Sequence, residues 1–136
     1  MNNENKSLFW ADLARDLADP DFLREYVVQS VRVATVDRLV NELDSVREAA
    51  GLSKASLARA ISVEPAVVRR LFSSARSNPT VGTLSEVAAA LGMTITLEPL
   101  DEAEREQITV PLLEGRSADT AALVERLGEM RVRATA

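Results

Sequence analysis

The sequence predicts a mainly α-helical chain, and three observations carry that expectation. Apolar residues recur at helical spacing from one end of the 136 residues to the other, with no internal repeat and no low-complexity tract. Residues that start or stop helices, among them Ser53, Pro65, Thr80, Gly51 and Gly92, stand where that pattern breaks. Alternation of the kind a half-buried strand needs is confined to two short stretches. A chain of this length buries roughly two-thirds of the surface its unfolded form exposes, so it is stable without disulfides or a structural metal.

In chain order, Leu8, Phe9, Leu13 and Leu17 predict a short helix that stops near Asp19-Pro20. Asp21 is then placed to cap a second helix, with Phe22, Tyr26 and Val27 on one face and Val31 continuing it. Val36, Leu39, Val40, Leu43 and Val46 form one helical stripe that ends at Gly51, which suits the left-handed position after a helix. Ser53 caps a short helix running to Ala60 or Ile61, and after a three-residue break Pro65 opens another that runs to about Phe72. Beyond a loop at 73–79, Thr80 caps a helix whose Leu84, Val87, Ala88 and Leu91 face inward and which Gly92 closes. Met93, Ile95 and Leu97 alternate with Thr94, Thr96 and Glu98, predicting a strand that Pro99 ends. Ile108, Val110 and Leu112 make a weaker alternation interrupted by Pro111, expected as an edge strand or extended arm. A last helix spans Asp119 to about Arg131. The expected organisation is an N-terminal helical arm (1–35), a helical domain (36–92), a strand with an acidic connector (93–116) and a C-terminal helix (117–136).

Composition narrows the chemistry. The chain has no cysteine and no histidine, which removes Cys and His nucleophiles, an imidazole base, and thiolate or imidazole metal sites. No cofactor and no metal is expected. The acids of Asp101-Glu102-Ala103-Glu104-Arg105-Glu106 could serve acid–base work or hold a divalent cation, but no nucleophile, glycine-rich loop or apolar pocket accompanies them. They read as a solvated helix or linker, and an enzyme is not expected. The first fifteen residues lack a basic start followed by an apolar core, and the longest uncharged apolar run, Val87 to Met93, falls far short of the roughly 20 residues of a membrane helix. A cytoplasmic location is expected.

The formal net charge of -5 conceals a division. Residues 1–37 carry seven acids and four bases, residues 38–80 four acids and seven bases, and residues 81–136 ten acids and five bases. A basic island therefore sits between acidic flanks, the arrangement a nucleic-acid contact needs locally even where the whole chain is acidic.

Within that island, two short helices joined by a three-residue turn form the layout of a helix-turn-helix. With Lys54 as the first position, Leu57, Ala58, Ile61, Val63, Val68 and Leu71 fall at 4, 5, 8, 10, 15 and 18, the inward positions of that motif. The small Ala58 lets the two helices cross closely. Pro65, Ala66, Arg69, Arg70 and Ser73 face outward on the second helix, the face that enters a major groove.

The stretch VREAAGLSKASLARAISVEPAVVRRLF, followed by SNPTVGTLSEVAAALGMTITL, resembles the Xre-type family of helix-turn-helix regulators over roughly residues 36 to 98. Asn78-Pro79-Thr80, then Leu84 and Ala88 to Gly92, is its most specific part. The resemblance implies a lambda-repressor-like bundle of four or five helices. The arm beginning Asp19-Pro20-Asp21-Phe22 and the strand after Gly92 resemble antitoxins of the HigA type. Such antitoxins are dimers that neutralise a small ribonuclease toxin and repress their own operon. The partners so implied are double-stranded DNA with an inverted-repeat operator, a second copy of the chain in a homodimer, and a small basic toxin protein, with no membrane and no metal.

The chain departs from the family pattern at Lys54, where Gln is common, and at Ser62, where the turn usually has Gly. It also carries Glu64, Pro65, Ala66 and Val67 where Ser, Gln or Thr are frequent. Arg69 and Arg70 are then the residues able to make bidentate contacts to guanine, Ala66 and Val67 can at most touch a thymine methyl, and Glu64 either accepts from cytosine or repels phosphate.

The expected DNA-binding set is Ser53, Lys54, Arg59, Pro65, Ala66, Arg69, Arg70, Arg76, Asn78 and Thr80. Phe9, Trp10, Leu13, Phe22 and Tyr26 are the candidate partner surface, and Met93, Ile95 and Leu97 the candidate dimer contact. Plainer readings stand beside these: surface ion pairs for Arg69 and Arg70, solvation for Lys54 and Arg59, a helix cap for Thr80, and packing for the aromatic cluster. The expected function is a sequence-specific DNA-binding repressor acting as an antitoxin. The alternative is an interaction module of the same fold that binds a protein without specific DNA binding.

Overall fold

Among the residues described by the computed structural model, 3–73 and 78–135, seven helices follow one another. They are α1 (Asn3–Asp16), α2 (Pro20–Ala49), α3 (Lys54–Ala60), α4 (Pro65–Ser73), α5 (Val81–Ala90), α6 (Glu102–Glu114) and α7 (Thr120–Thr135). The mainly helical class and the helix-turn-helix are as the sequence predicts. The helices gather into two compact units, one made of Met1–Val33 with Pro99–Arg133 and one of Ala34–Glu98 with Ala134–Ala136.

The first unit buries Leu17, Leu23, Val27, Ile108, Leu123 and Leu127, with Leu13, Tyr26, Val31, Leu112, Val124 and Met130 packed around them. Its helices are held at their ends by side chains. The Asp19 carboxylate accepts from the Asp21 amide at 2.9 Å, so Asp19, and not the predicted Asp21, starts α2. Pro20 takes the first helical position, where its missing N–H is no loss. Arg24 Nε donates to the Leu112 carbonyl at 3.1 Å, and its Nη2 reaches that of Leu113 at 3.4 Å, satisfying the last turn of α6. Gly115 closes the same helix at φ 72, and a Cβ there would stand 3.0 Å from both Arg24 Nη2 and Pro20 Cβ.

The second expected strand is overturned by α6. Asp101 caps that helix by accepting from the Glu104 amide at 2.8 Å, with Glu102 and Glu104 in the electropositive first turn. Ile108 and Leu112 are four apart and share a helical face, so the apparent period of two at 108, 110 and 112 was half of a period near four. Pro111 lies inside the helix and is fully buried. Removing an interior hydrogen bond costs about 3 kcal/mol, which burial of the ring and its neighbours offsets.

The first expected strand is also absent: no strand occurs among the described residues. Met93 and Ile95 do turn inward, onto the core of the second unit, while Leu97 is 99% exposed. The alternation is thus real over 93–95, but a strand needs a ladder, and no partner strand occurs among the described residues.

Where the sequence suggests a break between Val31 and Val36, α2 is continuous. Leu23, Val27 and Val31 serve the first core; Val36, Val40 and Leu43 serve the second and do not continue the period of the first set. A change of phase inside one helix looks, in sequence, like two helices.

The second unit buries Val40, Leu43, Leu57, Ala58, Val68, Leu71, Leu84, Val87 and Ala88. Three of its helices end in the same way. After α2, Leu52 N donates to Arg47 O and Gly51 N to Glu48 O; after α3, Val63 N donates to Ala58 O and Ser62 N to Arg59 O; after α5, Met93 N donates to Ala88 O and Gly92 N to Ala89 O. Each is a Schellman end, which requires a left-handed residue. Gly51 and Gly92 supply it at φ 70 and 77, and Ser62 supplies it at φ 58. Ser62→Gly therefore relieves strain and raises stability by about 0.5–1 kcal/mol, while Gly92→Ala lowers it by a similar amount. Gly115→Ala, which adds tight contacts with Pro20 Cβ and the Arg24 guanidinium to the same strain, lowers it further. Urea denaturation of the three variants checks the order.

Candidate nucleic-acid interface

Ser53 starts α3 by accepting from the Ser56 amide at 3.0 Å, and Leu57 and Ala58 bury its inner side. Ala58 has no exposed surface, which is what allows α4 to cross close by. Val68 and Leu71 bury the inner side of α4, and helical spacing then puts its remaining residues outward.

That outer face consists of Ala66, Arg69, Arg70 and Ser73, all exposed, with Pro65 half-buried at its start. Arg70 Nε reaches back to the Ala66 carbonyl at 3.4 Å, and the Ser73 hydroxyl donates to the Arg69 carbonyl. Val67 is half-buried, whereas Glu64 is exposed. Lys54 is half-buried and Arg59 exposed. Among the described residues, Lys54, Arg59, Arg69 and Arg70 form no ion pair, in contrast to Arg15, Arg47, Arg116 and Arg126.

At the start of α5, Asn78 and Thr80 are exposed, and Thr80 Oγ1 accepts from the Thr83 amide at 3.1 Å. Thr80 is therefore a cap, and the first amides of α5 form the electropositive end of that helix. Arg76, expected beside it, lies outside the described residues.

One basic residue of the island serves the scaffold. Arg47, whose side chain is 12% exposed, pairs with Asp44 at 2.7 Å and Glu48 at 3.5 Å. It also donates to the Leu52 carbonyl at 2.8 Å and lies 5.8 Å from the centre of the Phe72 ring. Counting charge along the chain could not separate it from Arg69 or Arg70. Its place three residues after Asp44 and just before the helix-ending Gly51 was the available signal.

The other predicted sets divide. On α1, Phe9 and Trp10 are exposed and meet edge to face at 5.9 Å. Leu13 and Tyr26 pack on the first core, and Phe22 stacks on Tyr26 at 6.5 Å. Phe22 and Tyr26 also line a groove of about 310 Å³ with Glu25, Gln29, Ser30, Val33 and Arg131. Of the candidate dimer contacts, Met93 and Ile95 are half-buried on the second core and Leu97 is free. No group of three acidic residues among those described is placed to hold a metal ion. No helix among the described residues is long and apolar enough to cross a membrane.

The family model for the helix-turn-helix matches residues 43–97, from the second half of α2 to the segment after α5. No curated protein and no solved structure matches the chain. The match covers 55 of the 136 residues and supports an Xre-type helix-turn-helix regulator. In this domain the caps and the outer face differ in energetic role. Thr80→Ala costs about 1 kcal/mol of stability, whereas Arg69→Ala with Arg70→Ala stays within about 0.5 kcal/mol; thermal melts of the two variants separate them.

Proposed function

We propose that this protein is a sequence-specific transcriptional repressor that binds an inverted-repeat operator as a homodimer. The observation that carries the reading is the outer face of α4, where Arg69 and Arg70 stand exposed and outside any ion pair among the described residues, within the segment matched by the helix-turn-helix model. Arg69 and Arg70 contact guanine edges, Ala66 and Pro65 border them, and Ala66 meets a thymine methyl. Lys54, Arg59, Asn78 and Thr80, with Ser53 at the head of α3, and with Arg76 as the sequence suggests, set the protein on phosphates. The 93–98 segment, with Leu97 exposed, joins two copies so that two α4 helices meet successive major grooves about one turn apart.

We further propose that the protein is the antitoxin of a toxin-antitoxin pair, neutralising a small basic ribonuclease and repressing its own operon. Two features support this. The segments of the first unit carry 14 acidic and 9 basic residues, and such a field attracts a basic partner. Leu8, Phe9 and Trp10 are exposed on α1, at 62, 62 and 48%, in the manner of interface anchors. The same exposed residues favour the second reading, a module that binds a protein through α1 and has no preference among DNA sequences.

Fluorescence anisotropy with the chain's own upstream DNA and with a scrambled duplex, at two salt concentrations, tests the DNA reading. The expected result is tight, salt-dependent binding to the upstream sequence, with the preference abolished in Arg69→Ala with Arg70→Ala. Equal weak binding to both duplexes leaves the second reading. For the partner, Trp10 is the single tryptophan, so its emission reports docking directly. Titration with the product of the adjacent gene is expected to shift it, and Phe9→Ala is expected to weaken that binding about tenfold or more while leaving operator affinity unchanged.

A further inference from the structure

We propose that Arg47 is a positioning residue for α4, acting through the Phe72 ring, and that this clamp sets how well Arg69 and Arg70 discriminate between DNA sequences. The inference rests on the DNA reading above and adds a residue that touches no DNA. Four contacts converge on one guanidinium: Asp44 and Glu48 on α2, the Leu52 carbonyl in the turn before α3, and the face of Phe72 at the end of α4. Three of these fix the guanidinium to its own helix and the adjoining turn. Asp44 is itself only 27% exposed, so the charge pair is shielded and its geometry is held.

The fourth contact reaches α4. At 5.8 Å from the ring centre, the cation lies within the range of attraction to the negative face of an aromatic ring. Phe72 packs on the second core and follows Arg70 by two residues and Arg69 by three. The rest of the α4 contact is aliphatic: Val68 and Leu71 meet Leu57, Ala58 and their neighbours in the core. The hydrophobic driving force of that packing is non-directional, whereas a ring held against a planar, hydrogen-bonded guanidinium adds a directional contact that resists rotation of the helix about its axis. Bidentate readout of guanine requires just such angular definition, because both N–H groups must reach O6 and N7 together. Arg47 thus acts on specificity through α4 and not through charge offered to phosphate.

The test uses the full chain and four variants: Arg47→Met, Phe72→Leu, Phe72→Tyr and Arg47→Met with Phe72→Leu. Anisotropy is read with upstream and scrambled DNA at two salt concentrations, and amide hydrogen exchange is read over 65–73 and 81–90. Arg47→Met and Phe72→Leu are expected to lower the preference for upstream DNA by about tenfold, the low end for loss of one bidentate contact, with scrambled-DNA affinity and the salt slope unchanged. The double variant is expected to be no worse than either single one, because both break the same contact. Phe72→Tyr, which keeps the ring, is expected to behave as the parent. Should Arg47→Met fail to fold, Phe72→Leu against Phe72→Tyr carries the same comparison. A salt slope that falls by about one in Arg47→Met makes Arg47 a phosphate contact and overturns the proposal, as does an unchanged preference in folded Phe72→Leu. If the parent chain itself prefers no sequence, the DNA reading fails, and exchange alone decides the clamp. Faster exchange in 65–73 than in 81–90 for Phe72→Leu upholds it, and equal change in both segments overturns it.

Discussion

The placement of the outer face of α4 depends on the turn that precedes it, and that turn depends on one backbone hydrogen bond from Val63 to the Ala58 carbonyl at 3.0 Å. The bond forms only if Ser62 adopts φ 58, against the preference of a residue with a Cβ. Once made, it folds the chain back so that Val63 covers the second core, and Pro65 begins a helix that crosses α3 over the fully buried Ala58. A larger side chain at 58 would separate the helices, and an extended residue at 62 would send α4 elsewhere. Gly51 and Gly92 make the same kind of turn without strain after α2 and α5. The strained copy is the one that aims the candidate reading helix.

Much of this was legible because the controlling residues act locally. Ser53 and Thr80 cap the helices they precede, Gly51 and Gly92 end the helices they follow, and the inward positions Leu57, Ala58, Val68 and Leu71 are all buried. Ser62 was recognisable as a departure, and its positive φ is the cost that departure implied. The misreadings share a different physical origin: they concern what a segment meets in space. Met93 and Ile95 alternate as a strand would, but no second strand occurs among the described residues to pair with them. Pro111 argues locally against a helix, yet Asp101 and Gly115 define helix ends on either side, and the core takes up the ring. Arg47 belongs to the basic island by composition and to the scaffold by contact.

Electrostatics divides the molecule in a way that its net charge hides. The segments of the first unit are acidic, while those of the second carry balanced charge and concentrate their bases around α3 and α4. The hydrogen bonds of the first unit use its arginines for internal work: Arg24 on the carbonyls of α6, and Arg126 on Gln107 at 2.9 Å with Glu104 and Glu129 nearby. Spending bases internally leaves its acids to dominate the outward field. Around α4 the reverse holds, since Arg47 answers Asp44 and Glu48 and the outward arginines have no carboxylate among the described residues close enough to answer them.

The outer face of α4 is short of the polar side chains that read bases, and Val67, half-buried, adds little to it. What remains is two arginines with a small apolar surface at Ala66. Each bidentate arginine discriminates against a wrong base by about 1–3 kcal/mol, so one half-site under the proposed function reads little more than a pair of guanines. Selectivity among many competing sites then has to come from requiring two half-sites at a fixed spacing and from the angular accuracy with which each arginine pair is presented. The first is a property of a dimer and the second of the α4 mounting, to which the Ser62 turn, the close crossing at Ala58 and, under the inference above, Arg47 each contribute. A reading face with few contacts places the greater demand on the geometry that mounts it, here the strained turn at Ser62 and the half-buried guanidinium of Arg47 against the Phe72 ring.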